Sequence, residues 1–193
     1  SYDELQNPWI KRDHSGETHI RNLLGIAQEE ILVGLCWRSS NQVASRDKYF
    51  LSCEQLRPLA NFPDTKWLNV QYDAERQEID QFRDFGMAMY HLCDVDQKDD
   101  IPSACAMLGA CDLVITIGGS VADLTGGLGV PMIYMTAENS EAFLGTDYVP
   151  WFRNCKSYPI KPFKGSETIE RLVGDWSGIS TWAKSLSQAE PNI

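Results

Sequence analysis

The amino-acid sequence predicts an α/β domain with a doubly wound parallel sheet, a three-layer Rossmann-like architecture. Three apolar runs are nearly continuous rather than alternating: ILVGLCW (31–37), DLVITI (112–117) and PMIYMT (131–136). Strands buried on both faces have this composition, and they belong to parallel sheets covered by helices. Segments with helical spacing or capping residues lie between the runs, which gives the β-α-β-α order of a doubly wound fold.

Two further strands complete the predicted sheet. They are KWLNVQY (66–72) and GMAMYHLC (86–93). Because crossovers between parallel strands are right-handed, we expect the strand order 3-2-1-4-5, with the DLVITI strand inside the sheet.

Capping residues mark the predicted helices. Ser52 and Gln55 have the S-x-x-Q spacing of a capping box, and Ser120 and Asp123 have the related S-x-x-D spacing. Gly129 follows the second of these helices and is a typical C-terminal stop. Other helices are expected at 73–85, at 103–111 and, as one or two helices, at 168–186.

The 193 residues are enough for one domain, and 43% of them are hydrophobic, enough to bury a core. We interpret residues 1–30 as a lead-in helix and loop, and residues 31–193 as the domain itself.

The net charge of −10 makes nucleic acid and anionic membranes unfavourable partners. No apolar run approaches the roughly 20 residues of a membrane span, and the opening SYDELQNPWIKRD lacks the apolar core of a signal peptide. The six cysteines form no CxxC pair, so we expect reduced thiols, no structural zinc and a cytoplasmic protein.

Ligands of open α/β sheets bind at the carboxyl ends of the strands. There the Gly118-Gly119-Ser120 turn is the most informative feature. Glycine lets a ligand approach the backbone, and the next helix offers unpaired N–H groups to an anion. The alternative is a tight turn with Ser120 as a cap. The turn is not a G-x-G-x-x-G fingerprint, so no nicotinamide cofactor is expected.

Polar side chains follow the first two strands. Arg38, Ser39, Arg46 and Lys48 come after the first, and Gln71 comes at the end of the second. Each cation alone is best explained as solvated surface charge, but together they would suit a diphosphate. An acidic cluster at 94–100 is better explained as a solvated loop than as a cation site, so we predict no metal.

These segments resemble a known family. GLCWRSS, RDK, LSCEQLRPL, WLNVQYD and IPSACAMLGACDLVITIGGSVADLTGGLGVPM are similar to the C-terminal, donor-binding domain of GT-B glycosyltransferases. The heptosyltransferase-like proteins and the glycosyltransferase domains that follow tetratricopeptide repeats are the nearest within that family. The resemblance covers roughly residues 30–176 and is strongest at 104–133.

The resemblance implies a site for a nucleoside-diphosphate sugar, without metal or other cofactor. The N–H groups of Gly119, Ser120 and Val121 would hold the diphosphate, and Lys48 matches a family lysine that contacts phosphate. Two positions depart from the family: Gly118 stands where an Asp is usual, and Asp123 where a His is usual. In an active site Asp123 would cap Ser120 or pair with a cation such as Lys48; otherwise it would exclude phosphate.

The family's fold also needs an N-terminal domain that carries the acceptor site. We therefore expect this chain to act as the donor half of a metal-independent glycosyltransferase, with that domain elsewhere or on a partner chain. A non-catalytic interaction module that has kept the fold is the main alternative. The third hypothesis is a different enzyme on the same sheet, such as a nucleotide-sugar epimerase.

Overall fold

A six-stranded parallel sheet is the centre of the computed structural model, which describes residues 8–27, 29–39 and 47–187. Its strands are β1 (Ile31–Cys36), β2 (Thr65–Asn69), β3 (Ala88–Tyr90), β4 (Leu113–Ile117), β5 (Met132–Met135) and β6 (Cys155–Ser157). Their order is β3-β2-β1-β4-β5-β6, and every pairing is parallel. The predicted fold class and the order 3-2-1-4-5 are therefore confirmed, with β6 added beside β5.

Helices cover both faces of this sheet. They are α1 (His14–Leu24), α2 (Cys53–Leu56), α3 (Arg76–Asp84), α4 (Ile101–Ala110), α5 (Ser120–Leu128), α6 (Gly165–Gly174) and α7 (Trp176–Ser187). Short 3₁₀ helices lie at Asp47–Tyr49, Arg57–Asn61 and Glu141–Phe143. No helix in these described ranges is long and apolar enough to cross a bilayer.

The helix ends follow local chemistry, with one exception. Ser52 and Gln55 form the predicted capping box, and Gly129 ends α5 in the left-handed conformation. The predicted box between Ser120 and Asp123 is wrong, because Gly119 is the N-cap and no side chain caps this end among the described residues. The N-cap is therefore Gly119, and not Ser120 as the sequence pattern had indicated.

Apolar packing explains the composition of the strands. All six residues of β1 are buried, and β4 and β5 are buried along their whole length. Side chains from alternate positions enter the cores on the two faces of the sheet. Since β4 lies between β1 and β5, the turn that follows it emerges in the middle of the carboxyl edge.

The segment before β1 packs on this sheet unit. Helix α1 lies against α4, where Arg12 donates to both carboxylate oxygens of Glu17 and to the carbonyl of Gly109. The backbone N–H groups of Trp9 and Ile10 both donate to the carbonyl of Gly127 at 2.9 Å. The lead-in thus closes one side of α4 and α5.

Candidate functional site

A cleft of about 470 Å³ opens at the carboxyl edge of the sheet. It lies among the segments that follow β1, β4 and β5, and is lined by Ser39, Tyr49, Phe50, Ile117, Gly118, Gly119, Tyr134, Met135, Thr136, Ala137 and Ser140. We call this space the cleft. Of the predicted site residues, it brings together Ser39, Gly118 and Gly119.

A second, smaller space lies on the other side of the turn after β4. This slot has a volume of about 140 Å³ and mainly apolar walls. It is lined by Val70, Tyr72, Gln97, Lys98, Ile101, Ala104, Met107, Leu108, Ser120, Val121 and Leu124. Ser120 and Val121 face the slot while Gly118 and Gly119 face the cleft, so the start of α5 lies where the two spaces adjoin.

The start of α5 has the geometry of an anion site. Gly119 has φ 136° and ψ −167°, a conformation that side chains rarely adopt, and a Cβ there would have nothing within 4 Å. Since no described side chain caps this end, the first N–H groups of the helix are free of a capping partner. These groups and the helix dipole attract negative charge.

Gly118 is required by a close neighbour. A Cβ at this position would lie 2.8 Å from the hydroxyl oxygen of Tyr134 and 3.9 Å from Oγ1 of Thr136. The position therefore has no room for the Asp that the resemblance places there. Sequence reasoning missed Tyr134, because it lies in a run whose composition indicates only a buried strand.

Asp123 lies in the first turn of α5 and its side chain is exposed. Desolvation on its protein-facing side raises the pKa of the carboxyl. Neither predicted role for an active site is seen among the described residues: Asp123 does not cap Ser120 and forms no ion pair with Lys48. Burial raises the pKa of Tyr134, and the charge of Asp123 raises it further.

Lys48 lies beside the cleft in the 3₁₀ turn Asp47–Tyr49. Its Nζ is 5.2 Å from the ring centre of Tyr49, a lining residue, and its carbonyl accepts from the N–H of Phe163 at 2.8 Å. No carboxylate in the described ranges forms an ion pair with it. Arg46 lies outside the described residues.

Arg38 and Gln71 reach the same edge but are held by protein groups. The guanidinium of Arg38 donates to both carboxylate oxygens of Glu78 and to Oδ2 and the carbonyl of Asp73, at 2.8–2.9 Å. Gln71 is 1% exposed; its Oε1 accepts from the N–H of Arg38 at 3.1 Å, and its Nε2 donates to Asp73. These two residues tie the ends of β1 and β2 together.

The acidic cluster forms the loop that leads into α4. Asp96 accepts from the N–H groups of Lys98 and Asp99, each at 2.9 Å, and Asp100 caps α4 by accepting from the N–H of Ser103. These contacts agree with the interpretation of the cluster as a loop.

Sequence comparison gives a curated relative but no family. No family model matches the chain. Protein FlbA of Caulobacter vibrioides is 29% identical over 159 residues, which make up 82% of this chain and 27% of FlbA. The chain thus spans about a quarter of the length of that curated relative.

The fold of the chain is similar to those of several solved structures. E. coli ADP-heptose LPS heptosyltransferase II aligns with a TM-score of 0.68 at 10% identity, over 90% of this chain and 54% of that one. A family 9 glycosyl transferase of Veillonella parvula gives 0.63 at 13% identity, over 89% and 53%. A Listeria monocytogenes protein described as a UDP-N-acetylglucosamine 2-epimerase gives 0.55 at 16% identity, over 98% and 47%. The chain has a glycosyltransferase-like fold and spans about half of each of these proteins.

Proposed function

We propose that this chain is the donor-binding domain of a glycosyltransferase and binds a nucleoside-diphosphate sugar at the start of α5. The observation that carries the proposal is the uncapped start of α5 behind the Gly118-Gly119 turn, placed between a cleft and a slot. The glycosyltransferase-like fold supports it, and heptosyltransferase II, one of the similar structures, is named for an ADP-sugar.

The two spaces suit the two ends of such a donor. Mainly apolar walls with a few polar groups are typical of nucleobase sites, and the slot has such walls with the amide of Gln97 at its rim. The cleft has hydroxyls from Ser39, Thr136 and Ser140, which suit a sugar. A diphosphate between them would meet the N–H groups of Gly119, Ser120 and Val121.

The chemical task in glycosyl transfer is to stabilise the leaving diphosphate. An acceptor oxygen attacks the anomeric carbon, the bond from that carbon to the diphosphate oxygen breaks, and negative charge grows on the diphosphate. The helix N–H groups are fixed before the reaction, so they stabilise this charge without reorganising. Lys48 beside the cleft and Lys98 in the wall of the slot could assist them, whereas Arg38 is occupied by Glu78 and Asp73. No metal or cofactor is part of this proposal.

The acceptor site belongs to a further domain or chain in this proposal. The similar solved structures are about twice as long as the matched region, which leaves room for a second half. That half would supply the acceptor site and the base that takes the acceptor's proton.

Asp123 favours one competing function, a non-catalytic interaction module on the same fold. A carboxylate in the first turn of α5 repels an anion at the helix start, and no described cation pairs with it. The epimerase-like neighbour shows in addition that the fold alone does not select the reaction.

Calorimetric titration of the purified chain with ADP, UDP and GDP tests the proposal. We expect at least one to bind, and the matching monophosphate to bind more weakly. Lys48→Ala should weaken binding by about 1–3 kcal/mol, as for a hydrogen bond to a charged group. Lys11→Ala, an exposed lysine remote from the carboxyl edge, is the matched control. Absence of binding by all three would refute the donor site, and unchanged affinity in Lys48→Ala would remove Lys48 from it.

A further inference from the structure

Tyr134 brings a polar group to the floor of the cleft from inside an apolar strand. The residue is 8% exposed, and its ring belongs to a buried cluster with Ala122, Met132, Phe143, Val149 and Phe152. Its hydroxyl end lines the cleft beside Gly118. The side chain is thus anchored at its ring while its oxygen is presented at the start of α5.

The missing side chain of Gly118 creates the space for this hydroxyl. An alanine methyl at 118 would lie 2.8 Å from the phenol oxygen, which is too close for a carbon and an oxygen that are not bonded. The strand that holds the ring is fully buried, so the ring cannot easily withdraw. Gly118 and Tyr134 therefore act as a pair.

The phenol stays protonated at neutral pH. Burial raises the pKa of Tyr134 and the charge of Asp123 raises it further, while a hydrogen bond with the hydroxyl of Thr136 opposes both effects. The proximity of Cys155 also raises the pKa. A hydroxyl can accept one hydrogen bond and donate another, so the phenol can hydrogen-bond with Thr136 and still offer a hydrogen bond to a ligand in the cleft. No hydrogen bond joins this hydroxyl to Asp123 in the part of the chain that the structure describes.

We propose that the Tyr134 hydroxyl donates a hydrogen bond to a phosphate oxygen of the ligand held at the start of α5. This inference rests on the proposed function and adds the residue that supplies a neutral donor on the cleft side. An O–H donor suits this position because it adds a hydrogen bond to those that a phosphate there would accept from the helix N–H groups. Gly118 makes room for the phenol, and Thr136 is its hydrogen-bonding neighbour.

Tyr134→Phe tests the inference, because it removes only the oxygen and keeps the buried ring. The probes are inorganic pyrophosphate and the three nucleoside diphosphates, each titrated by calorimetry, with thermal unfolding measured on the same samples. We expect about a tenfold loss of affinity, typical of one hydrogen bond to a charged group. Gly118→Ala should also weaken binding, since the added methyl displaces the hydroxyl.

Tyr158→Phe is the matched control. Tyr158 is also buried, and its hydroxyl donates a hydrogen bond of 2.8 Å to Asp175. This pair lies outside the cleft. This control should lose stability and keep its affinity. Equal affinities of wild type and Tyr134→Phe would overturn the inference even if nucleotides bind. If pyrophosphate binds in a Tyr134-dependent way and no nucleotide does, the inference holds and the proposed donor fails. If neither probe binds, both fall.

Discussion

Replacing the carboxylate of Asp123 with a neutral amide should strengthen nucleotide binding. Asp123 lies three residues after Ser120, a rise of about 4.5 Å along the helix axis, so its charge lies close to the N–H groups that would hold the phosphates. It neither caps the helix nor pairs with a described cation. The change Asp123→Asn therefore removes repulsion without breaking a contact.

The magnitude follows from that separation. With about 3 Å added for the hydrogen bond to the phosphate, the two charges lie roughly 7 Å apart and interact by about 0.6–1.2 kcal/mol for an effective dielectric constant of about 40–80, as suits an exposed side chain. A diphosphate carries about two charges, so the repulsion sums to about 1–2.5 kcal/mol at low salt. We expect about a 5- to 60-fold gain in affinity for Asp123→Asn, and a similar or larger gain for Asp123→His when the imidazole is protonated.

Calorimetric titration at low and moderate salt is the assay, with Asp84→Asn, another exposed aspartate, as the control. Screening should shrink the gain as salt rises. Desolvation raises the pKa of Asp123, so as pH falls this carboxyl takes up its proton before an ordinary aspartate does. In that pH range the nucleotide affinity of the wild type should approach that of the variant. An unchanged or lower nucleotide affinity of Asp123→Asn, at any salt concentration, would refute the argument that an anion binds at the start of α5 near this carboxylate.

Three further predictions concern the same edge. Arg38→Ala should lower the free energy of unfolding, measured by urea denaturation, by about 2–4 kcal/mol, because it leaves two partly buried carboxylates unpaired. The control Arg57→Ala removes an exposed ion pair and should lower it by less than about 1 kcal/mol. Burial alone would raise the pKa of Glu78, but hydrogen bonds from Arg38 and others lower it, so the wild-type advantage should fade as pH drops through that lowered pKa. Gly119→Ala should lower the free energy of unfolding by about 1–3 kcal/mol through backbone strain, and should weaken nucleotide binding. Gly178→Ala inside α7 should raise the free energy of unfolding. Equal changes in the two variants would contradict the strain argument. Nucleotide affinity should not change with a chelator, and binding that is lost with the chelator and restored by magnesium would contradict a metal-free site.

The fold could be predicted from sequence because burial leaves a direct signature. Strands covered on both faces need nearly continuous apolar residues, and β1, β4 and β5 have them. Strand β6 was missed because its three residues, Cys155–Ser157, are only half-buried and are no more apolar than a loop. Edge strands of this length carry little pattern to detect.

The site could be predicted only in position. The rule that ligands meet the carboxyl ends of strands correctly places Ser39, Gly118 and Gly119 around one cleft. It could not show that Arg38 would meet Glu78, 40 residues away in the chain. Contacts of that kind depend on how α3 packs, and the one-dimensional pattern does not contain it.

Tyr134 was missed for a related reason. A tyrosine within an apolar run is most simply explained as core, and its ring is indeed core. Only the tertiary fold brings its oxygen to Gly118, on the neighbouring strand's turn. A usable signal was present in the sequence: a glycine where the resemblance calls for a side chain leaves space that a residue on the next strand can fill.

Amide chemical shifts of the unmodified chain test the donor-binding account most directly. The chain would be labelled with ¹⁵N and titrated with ADP, UDP and GDP, and the N–H resonances of Gly119, Ser120 and Val121 followed against that of Gly25 at the far end of α1. We predict that at least one nucleotide shifts the three α5 resonances in a saturable way, as an anion accepting from these groups must do, while Gly25 stays in place. Saturable shifts confined to other parts of the chain, or none with any of the three nucleotides, would contradict the account.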